Sequence, residues 1–347
     1  MLTQAYLQPL YENIPPGEFL VIDATVLPTT ELVKQFLQLE IGESLHDEFG
    51  LIAIKINSGI QSEIETILNN SKQNGQLTGG VKRIQFLQDI FLQNEIMTRF
   101  DYEVITKDRI SNIIPENVQT VSSSNIFIEE GATLSHCIIN AENGPVYIGK
   151  NATIMEGCRI RGPFSIGEGA VLKMGAKVYA TTTIGPYCMA GGEIKNSILS
   201  AYSNKAHDGY LGDSVIGEWC NLGAGTTNSN VKNTAGEVKL YNYASTKYLP
   251  AGIKCGVIMG DYSRAAINSS INTGTVIGIS CNVFGNGLTP KFIPDFSWGF
   301  NEWKAYDFGK AIQDINNWQR MKNTSLSNVQ IEVLQHLYEQ MVSNRIV

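Results

Sequence analysis

From residue 148 an aliphatic or small side chain returns every six positions: Ile148, Ile154, Ile160, Ile166, Leu172, Val178, Ile184 and Ala190. Four residues after each, the side chain is mostly small: Ala152, Cys158, Ala170, Ala176, Thr182 and Cys188, with Phe164 the exception. The rhythm resumes at Ile216 and Leu222, with Cys220 and Thr226 as partners. It returns at Met259, Ala265, Ile271, Ile277 and Val283, with Ser263, Ser269, Thr275 and Cys281. A period of six is neither the 3.6 of a helix nor the simple alternation of a strand. It predicts a parallel β-helix of short strands and tight corners. The aliphatic residue points inward and stacks on its counterpart in the next coil. The small residue fits the corner.

The flanks read differently. FLVID (19–23) and LIAIKI (51–56) read as buried strands. TTELVKQFLQL reads as a threonine-capped helix, with Leu32, Val33, Phe36 and Leu37 at helical spacing. IQFLQDIFLQNEIMTRF (84–100) reads as a further helix, so residues 1–110 form an α/β region. The β-helix occupies 111–290, and its first coils, 111–147, carry Ile128 and Leu134 in step. The hexads stop at Pro290 and Pro294. Phe308, Ile312 and Ile315, then Ile331, Leu334, Leu337 and Met341, predict two amphipathic helices within 291–347. Two stretches lose the register, 191–212 and 228–250. Long excursions from a rigid solenoid are where a site would be built.

Composition narrows the function. Lys+Arg is 26 against 33 Asp+Glu, a net charge of −7, which argues against a general nucleic-acid binder. No apolar run approaches the ~20 residues of a membrane span. MLTQAYLQPLYEN lacks the basic-then-apolar order of a secretory signal, so the expected location is the cytoplasm. The six cysteines form no CxxC pair and are expected to be reduced. Cys158, Cys188, Cys220 and Cys281 fall on small hexad positions and are expected in the core. No metal site is expected. A three-histidine site of the β-helical carbonic anhydrase type is out of reach, because the solenoid offers only His136 and His207.

The register breaks gather polar chemistry. The first holds Lys195, Lys205, His207, Asp208 and Tyr210, with Asp213 just beyond it. The second holds Asn228, Asn230, Lys232, Lys239, Tyr241 and Lys247, with Asn221 just before it and Lys173 earlier in the solenoid. Lysines and amides in an acidic chain suit an anionic, hydroxyl-rich ligand such as a sugar phosphate. Taken singly, an exposed loop lysine is more often solvated surface. His207, among lysines, a tyrosine and carboxylates, is the candidate general base.

The runs GGEIKNS (191–197) and KAHDGYLGDSVIGEWCNLGAGTTNSN (205–230) resemble the acetyltransferase domain of the bacterial bifunctional UDP-N-acetylglucosamine pyrophosphorylase/glucosamine-1-phosphate N-acetyltransferase family. NAENGPVYIGKNATIMEG (141–157), IMGDYSRAAINSSINTGTVIG and FIPDFSWG resemble a divergent sugar nucleotidyltransferase branch of it. The resemblance covers roughly residues 1–300. It implies a left-handed β-helix, a homotrimer, and acetyl-CoA bound between adjacent helices. It also implies His207 as catalytic base, and Lys173, Lys195, Tyr210, Asn221, Asn230 and Lys239 as contacts to the amino-sugar phosphate. Gly285 would touch the coenzyme. Two positions depart from the family: Lys173 stands where an arginine is usual, and Val231 where a tyrosine follows the second asparagine. Relative to the family, the N-terminal half reads as a shortened nucleotidyltransferase domain. No GxGxxG or GxxxxGK[ST] occurs in 1–110, and LTGG (77–80) reads as a turn.

The implied function is acetyl-CoA-dependent N-acetylation of an amino-sugar phosphate of the glucosamine-1-phosphate type, in nucleotide-sugar biosynthesis. The alternative is a sugar-1-phosphate nucleotidyltransferase that uses Mg2+ and keeps the β-helix as a trimerisation scaffold. A third reading is a binding or regulatory protein on the same fold, favoured by Val231 and Lys173.

Overall fold

The computed structural model describes residues 3–11, 16–58, 75–76, 81–302 and 304–343; the LTGG stretch lies outside the described residues. The chain divides into two compact units, residues 1–89 and 90–347.

In the first unit, β1 (Gly17–Ile22) pairs antiparallel with β3 (Gly50–Ser58), and β3 with β2 (Ser44–Asp47). Ile52, Ala53 and Ile54 are fully buried. Helix α1 (Thr30–Gln38) is capped by the Thr29 hydroxyl, which accepts the Leu32 N–H at 3.1 Å. It buries Leu32 and Phe36, while Val33 and Leu37 lie on its open side. Arg83 donates to Asp47 at 2.8 Å and to Asp23 at 2.5 Å, and its hydrogen bonds hold the Asp47 carboxyl below its ordinary range.

The second unit is a parallel β-solenoid, the hexapeptide-repeat β-helix that the periodicity predicts. Ile154, Leu172 and Ala190 stack in register on successive coils, each with no exposed surface. Their neighbours Ala152, Cys158, Ala170, Ala176, Thr182 and Cys188 are equally enclosed, and so is Phe164. All six cysteines are free and buried. Burial pushes the Cys137 thiol up to about 11 and the Cys188 and Cys281 thiols up to about 12, so they are core rather than chemistry.

Helix α2 (Asp89–Thr106) docks on this solenoid. The Asp89 carboxylate accepts the N–H groups of Gln85 (2.9 Å) and Phe86 (2.8 Å), which fixes the residues before it outside the helix. The helix therefore starts later than 84. Asn94 donates to the Thr181 carbonyl at 3.0 Å and accepts the Thr183 hydroxyl at 2.9 Å.

The two register breaks differ in kind. The stretch 191–212 is no excursion but a shortened coil. Leu172 and Ala190 share one rung position 18 residues apart, whereas Ala190 and Lys205 share it 15 apart. The strands Glu193–Leu199 and Tyr210–Ile216 run side by side through it. The second break does leave the solenoid. Its hairpin of Lys239–Asn242 and Lys247–Pro250 buries Val238 and Leu240 in a cluster with Ile258 and Val276. The Cys255 N–H donates to the Asn230 carbonyl at 2.9 Å, closing the base of the detour.

Two helices end the chain, α3 (Phe308–Arg320) and α4 (Asn328–Ser343). Ile315, Leu334 and Met341, with Phe308, Ile312, Ile331 and Leu337, pack on Tyr262, Ile279 and Phe296 of the last coils. The three- and four-residue spacing thus marks the faces that are used. Among the described residues no helix is long and apolar enough to cross a membrane.

Candidate functional site

The shortened coil builds the site. Its corner is Gly191–Gly192. A Cβ on Gly192 would come within 2.8 Å of the His207 carbonyl oxygen and 2.7 Å of that of Gly209. Gly192 also has φ +72°, so only glycine lets the 207–209 turn close over it. Gly191 sits between Lys173, whose Cβ would be 3.2 Å from a Cβ added there, and the Ala206 carbonyl, at 2.7 Å.

Lys205 is not one of the ligand-facing lysines. It occupies the inward position that Ala190 and Leu172 hold in the coils before it, and is 1% exposed. Its Nζ donates to the carbonyls of Gly191 (3.2 Å) and His207 (2.5 Å). Burial pushes its ammonium down to about 8. Lys205 thus ties the Gly191 corner to the backbone of His207. The His207 side chain is exposed and makes no hydrogen bond among the described residues.

Around the next corner, Tyr210 folds back over Gly212, where a Cβ would lie 2.2 Å from the phenol oxygen. Asn228 fixes that glycine: its Oδ1 accepts the Gly212 N–H at 2.9 Å and its Nδ2 donates to the Gly212 carbonyl at 3.1 Å. Asn230 Nδ2 donates to the Tyr210 hydroxyl (3.1 Å) and to Asp213 (2.5 Å). Asn196 donates to the other oxygen of Asp213 at 2.7 Å. Burial, and then the charges of Asp213 and Glu193, push the Tyr210 phenol up to about 12, so it stays a neutral donor. Lys195 stands opposite Gly212 on the neighbouring rung, with its ammonium in no ion pair among the described residues.

The structure therefore brings together Lys195, Tyr210 and Asn230, with His207 on the turn leading into them. Lys173 lies two rungs before Ala206 along the Gly191 column. The other expected residues stand apart. Asn221 pairs in register with Asn204 and Arg264 on a different face of the solenoid. Lys239 is on the exposed edge of the hairpin, opposite Pro250. Gly285 faces Phe300 and Asn301, whose amide oxygen accepts the Asn286 N–H at 2.5 Å. Asn196 is a positioning residue that the sequence did not single out; Asp213 and Asn228, read there only as polar residues at the breaks, are positioning residues as well. Among the described residues no three His, Cys, Asp or Glu side chains gather as a metal would need.

Residues 1–110 match the family described as sugar nucleotidyl transferase. Over 101 residues, 29% of this chain and 24% of the other, the sequence is 34% identical to the bifunctional protein GlmU of Methanocaldococcus jannaschii. Over 160 residues, 43% of this chain and 29% of the other, it is 30% identical to the bifunctional protein GlmU of Gloeothece citriformis. The chain thus spans about a quarter of the length of these relatives. The Arabidopsis UDP-N-acetylglucosamine acyltransferase structure aligns with 67% of this chain and 96% of its own, at 13% identity and a TM-score of 0.34. By sequence the chain is similar to the bifunctional GlmU proteins over part of its length, and its residues 1–110 match the family described as sugar nucleotidyl transferase.

Proposed function

We propose that the solenoid transfers an acetyl group from acetyl-CoA to the amine of an amino-sugar phosphate. One observation carries the reading: the exposed His207 lies on a turn whose backbone is held by a buried lysine, and that turn leads into the strand where the neutral phenol of Tyr210 folds over Gly212, the residue opposite Lys195. Partial similarity to GlmU proteins supports it. In this reading His207 accepts a proton from the amine as its nitrogen bonds to the thioester carbonyl carbon. The C–S bond then breaks, and the departing thiolate takes a proton back from the imidazolium. Lys195 and Lys173 hold the phosphate, and Tyr210, set by Asn230, donates to the sugar. No covalent acyl-enzyme is required, which agrees with thiols that are buried and protonated. The reading includes a trimer, which would set the Asn221 face of one copy near the His207 turn of another.

The test is a kinetic comparison. His207→Ala should lower kcat about 10²–10⁴-fold while leaving acetyl-CoA affinity unchanged. Lys195→Ala should raise KM for the phosphorylated acceptor and have less effect on one lacking phosphate. A fully active, folded His207→Ala protein refutes the mechanism. The match over residues 1–110 favours a second reading, nucleotidyl transfer with Mg2+. Release of pyrophosphate from UTP and a sugar 1-phosphate would establish it.

A further inference from the structure

Before Lys195 and Tyr210 on the same outer face, three cations stand together. Arg159 and Arg161 are two residues apart on one strand and so point to the same side. Arg159 is directly opposite Lys177 on the next rung. With Ile138, Asn140 and Tyr179 they line a groove of about 360 Å³. Among the described residues none of the three makes an ion pair or a side-chain hydrogen bond, whereas Arg83, Arg99 and Arg109 each hold a carboxylate. Like charges directly opposite in a sheet repel. All three are exposed, so water screens the repulsion, and an anion between them would turn it into attraction; the cluster is found in a chain whose net charge is −7. Glu193, opposite Lys177 on its other side, closes no ion pair with it.

The groove is continuous with the candidate site. One column runs Arg159, Lys177, Glu193, Tyr210, and the next runs Arg161, Tyr179, Lys195, Gly212. At about 4.8 Å per rung, Arg161 and Lys195 are separated by roughly 10 Å of backbone, with the aromatic ring of Tyr179 between them. Two guanidinium forks and an ammonium match the oxygens of a phosphate. Ile138 and Tyr179 offer apolar and aromatic surface beside it.

We propose that this groove is a second anion subsite, so that the acceptor is an amino sugar linked through a diphosphate to a nucleoside rather than a sugar monophosphate. The proposal rests on the acyl-transfer reading. Lys195 takes the phosphate next to the sugar, and Arg159, Arg161 and Lys177 take the distal phosphate.

The test uses the full chain and a double variant, Arg161→Ala with Lys177→Ala, whose fold is checked by circular dichroism. Calorimetric titration with UDP should show binding to the wild type that falls at least 10-fold in the variant and weakens with added salt. Acetylation assays should give a KM for UDP-glucosamine at least 10-fold below that for glucosamine 1-phosphate. The variant should lose that advantage with kcat retained. If glucosamine 1-phosphate is acetylated as well as UDP-glucosamine, or if UDP affinity is unchanged in the variant, as it would be for UDP held by residues 1–110, the groove assignment is overturned and acyl transfer stands. If the wild type acetylates neither acceptor, the acyl-transfer reading falls, and the assignment with it.

Discussion

Lys205→Met keeps the length of a side chain enclosed among Ala190, Leu222 and the Gly191 corner, and removes its charge. The ammonium has an ordinary pKa of 10.5 and is pushed down to about 8 in the folded chain by burial. Below pH 8 the lysine is protonated in both the folded and the unfolded chain, so its burial cost is constant. Between pH 8 and 10.5 the folded chain has released the proton and the unfolded chain has not. The unfolded state then binds more protons, and raising the pH stabilises the fold. The gap is worth about 3 kcal/mol in full, of which about 2 kcal/mol is realised by pH 9.5. Buried phenols such as Tyr210 also titrate at high pH, but they are common to both proteins and cancel in the difference. Urea unfolding of both proteins at pH 7, 8.5 and 9.5, followed by circular dichroism, measures it. The stability difference should move in favour of the wild type by about 2 kcal/mol from pH 7 to 9.5. A difference that stays flat across this range would refute a buried ammonium at this rung.

Two further outcomes are expected. Native protein at pH 8 should react slowly with Ellman's reagent and release six thiols only when unfolded, since all six cysteines are buried; fast stoichiometric labelling of the native chain would contradict the core assignment. Light scattering at micromolar concentration should give three times the 38.1 kDa chain mass, and a stable monomer would remove a site shared between copies.

The solenoid was legible because Ile154, Leu172 and Ala190 repeat without interruption, and an inward position on a flat rung admits little else. Reading failed where that rule is broken. Lys205 stands in the aliphatic column, and Asn228, in register with Ile271, stands in another. Each satisfies its polar atoms on backbone groups of the adjacent turn, so each is tolerated inside. A periodic search skips them and reports a gap, which is why 191–212 read as an excursion. Both polar intrusions bond the backbone of the Gly191–Gly212 region, and in a hexad sequence a polar residue at an inward position is itself a marker of the site. The cluster of Lys195, Tyr210 and Asn230 was legible from local composition and resemblance. Asn196 was not, and Asp213 was legible only as one more polar residue, because their positioning role depends on left-handed corner backbone (φ +44° and +50°) that spacing does not encode. The groove of Arg159, Arg161 and Lys177 was missed because those residues are far apart in sequence from the breaks and meet only through the pitch of the coil.

The single hydrogen bond between Cys255 and Asn230 makes residues 231–254 a cassette. The chain departs and re-enters at neighbouring points on one rung, so the coils on either side do not register how long the detour is. Closure entropy grows slowly, by about 0.6 kcal/mol for each doubling of loop length. Lengthening or shortening the segment beyond its hairpin therefore costs the scaffold little. What the scaffold does register is the apolar footprint of Val238 and Leu240 on Ile258 and Val276, the Tyr241 ring stacked on Phe292, and the Tyr243 hydroxyl donating to Asp295. Descendants of this chain are free to exchange the tip of the cassette, and with it whatever the tip touches, as long as Val238, Leu240, Tyr241 and Tyr243 keep their seats.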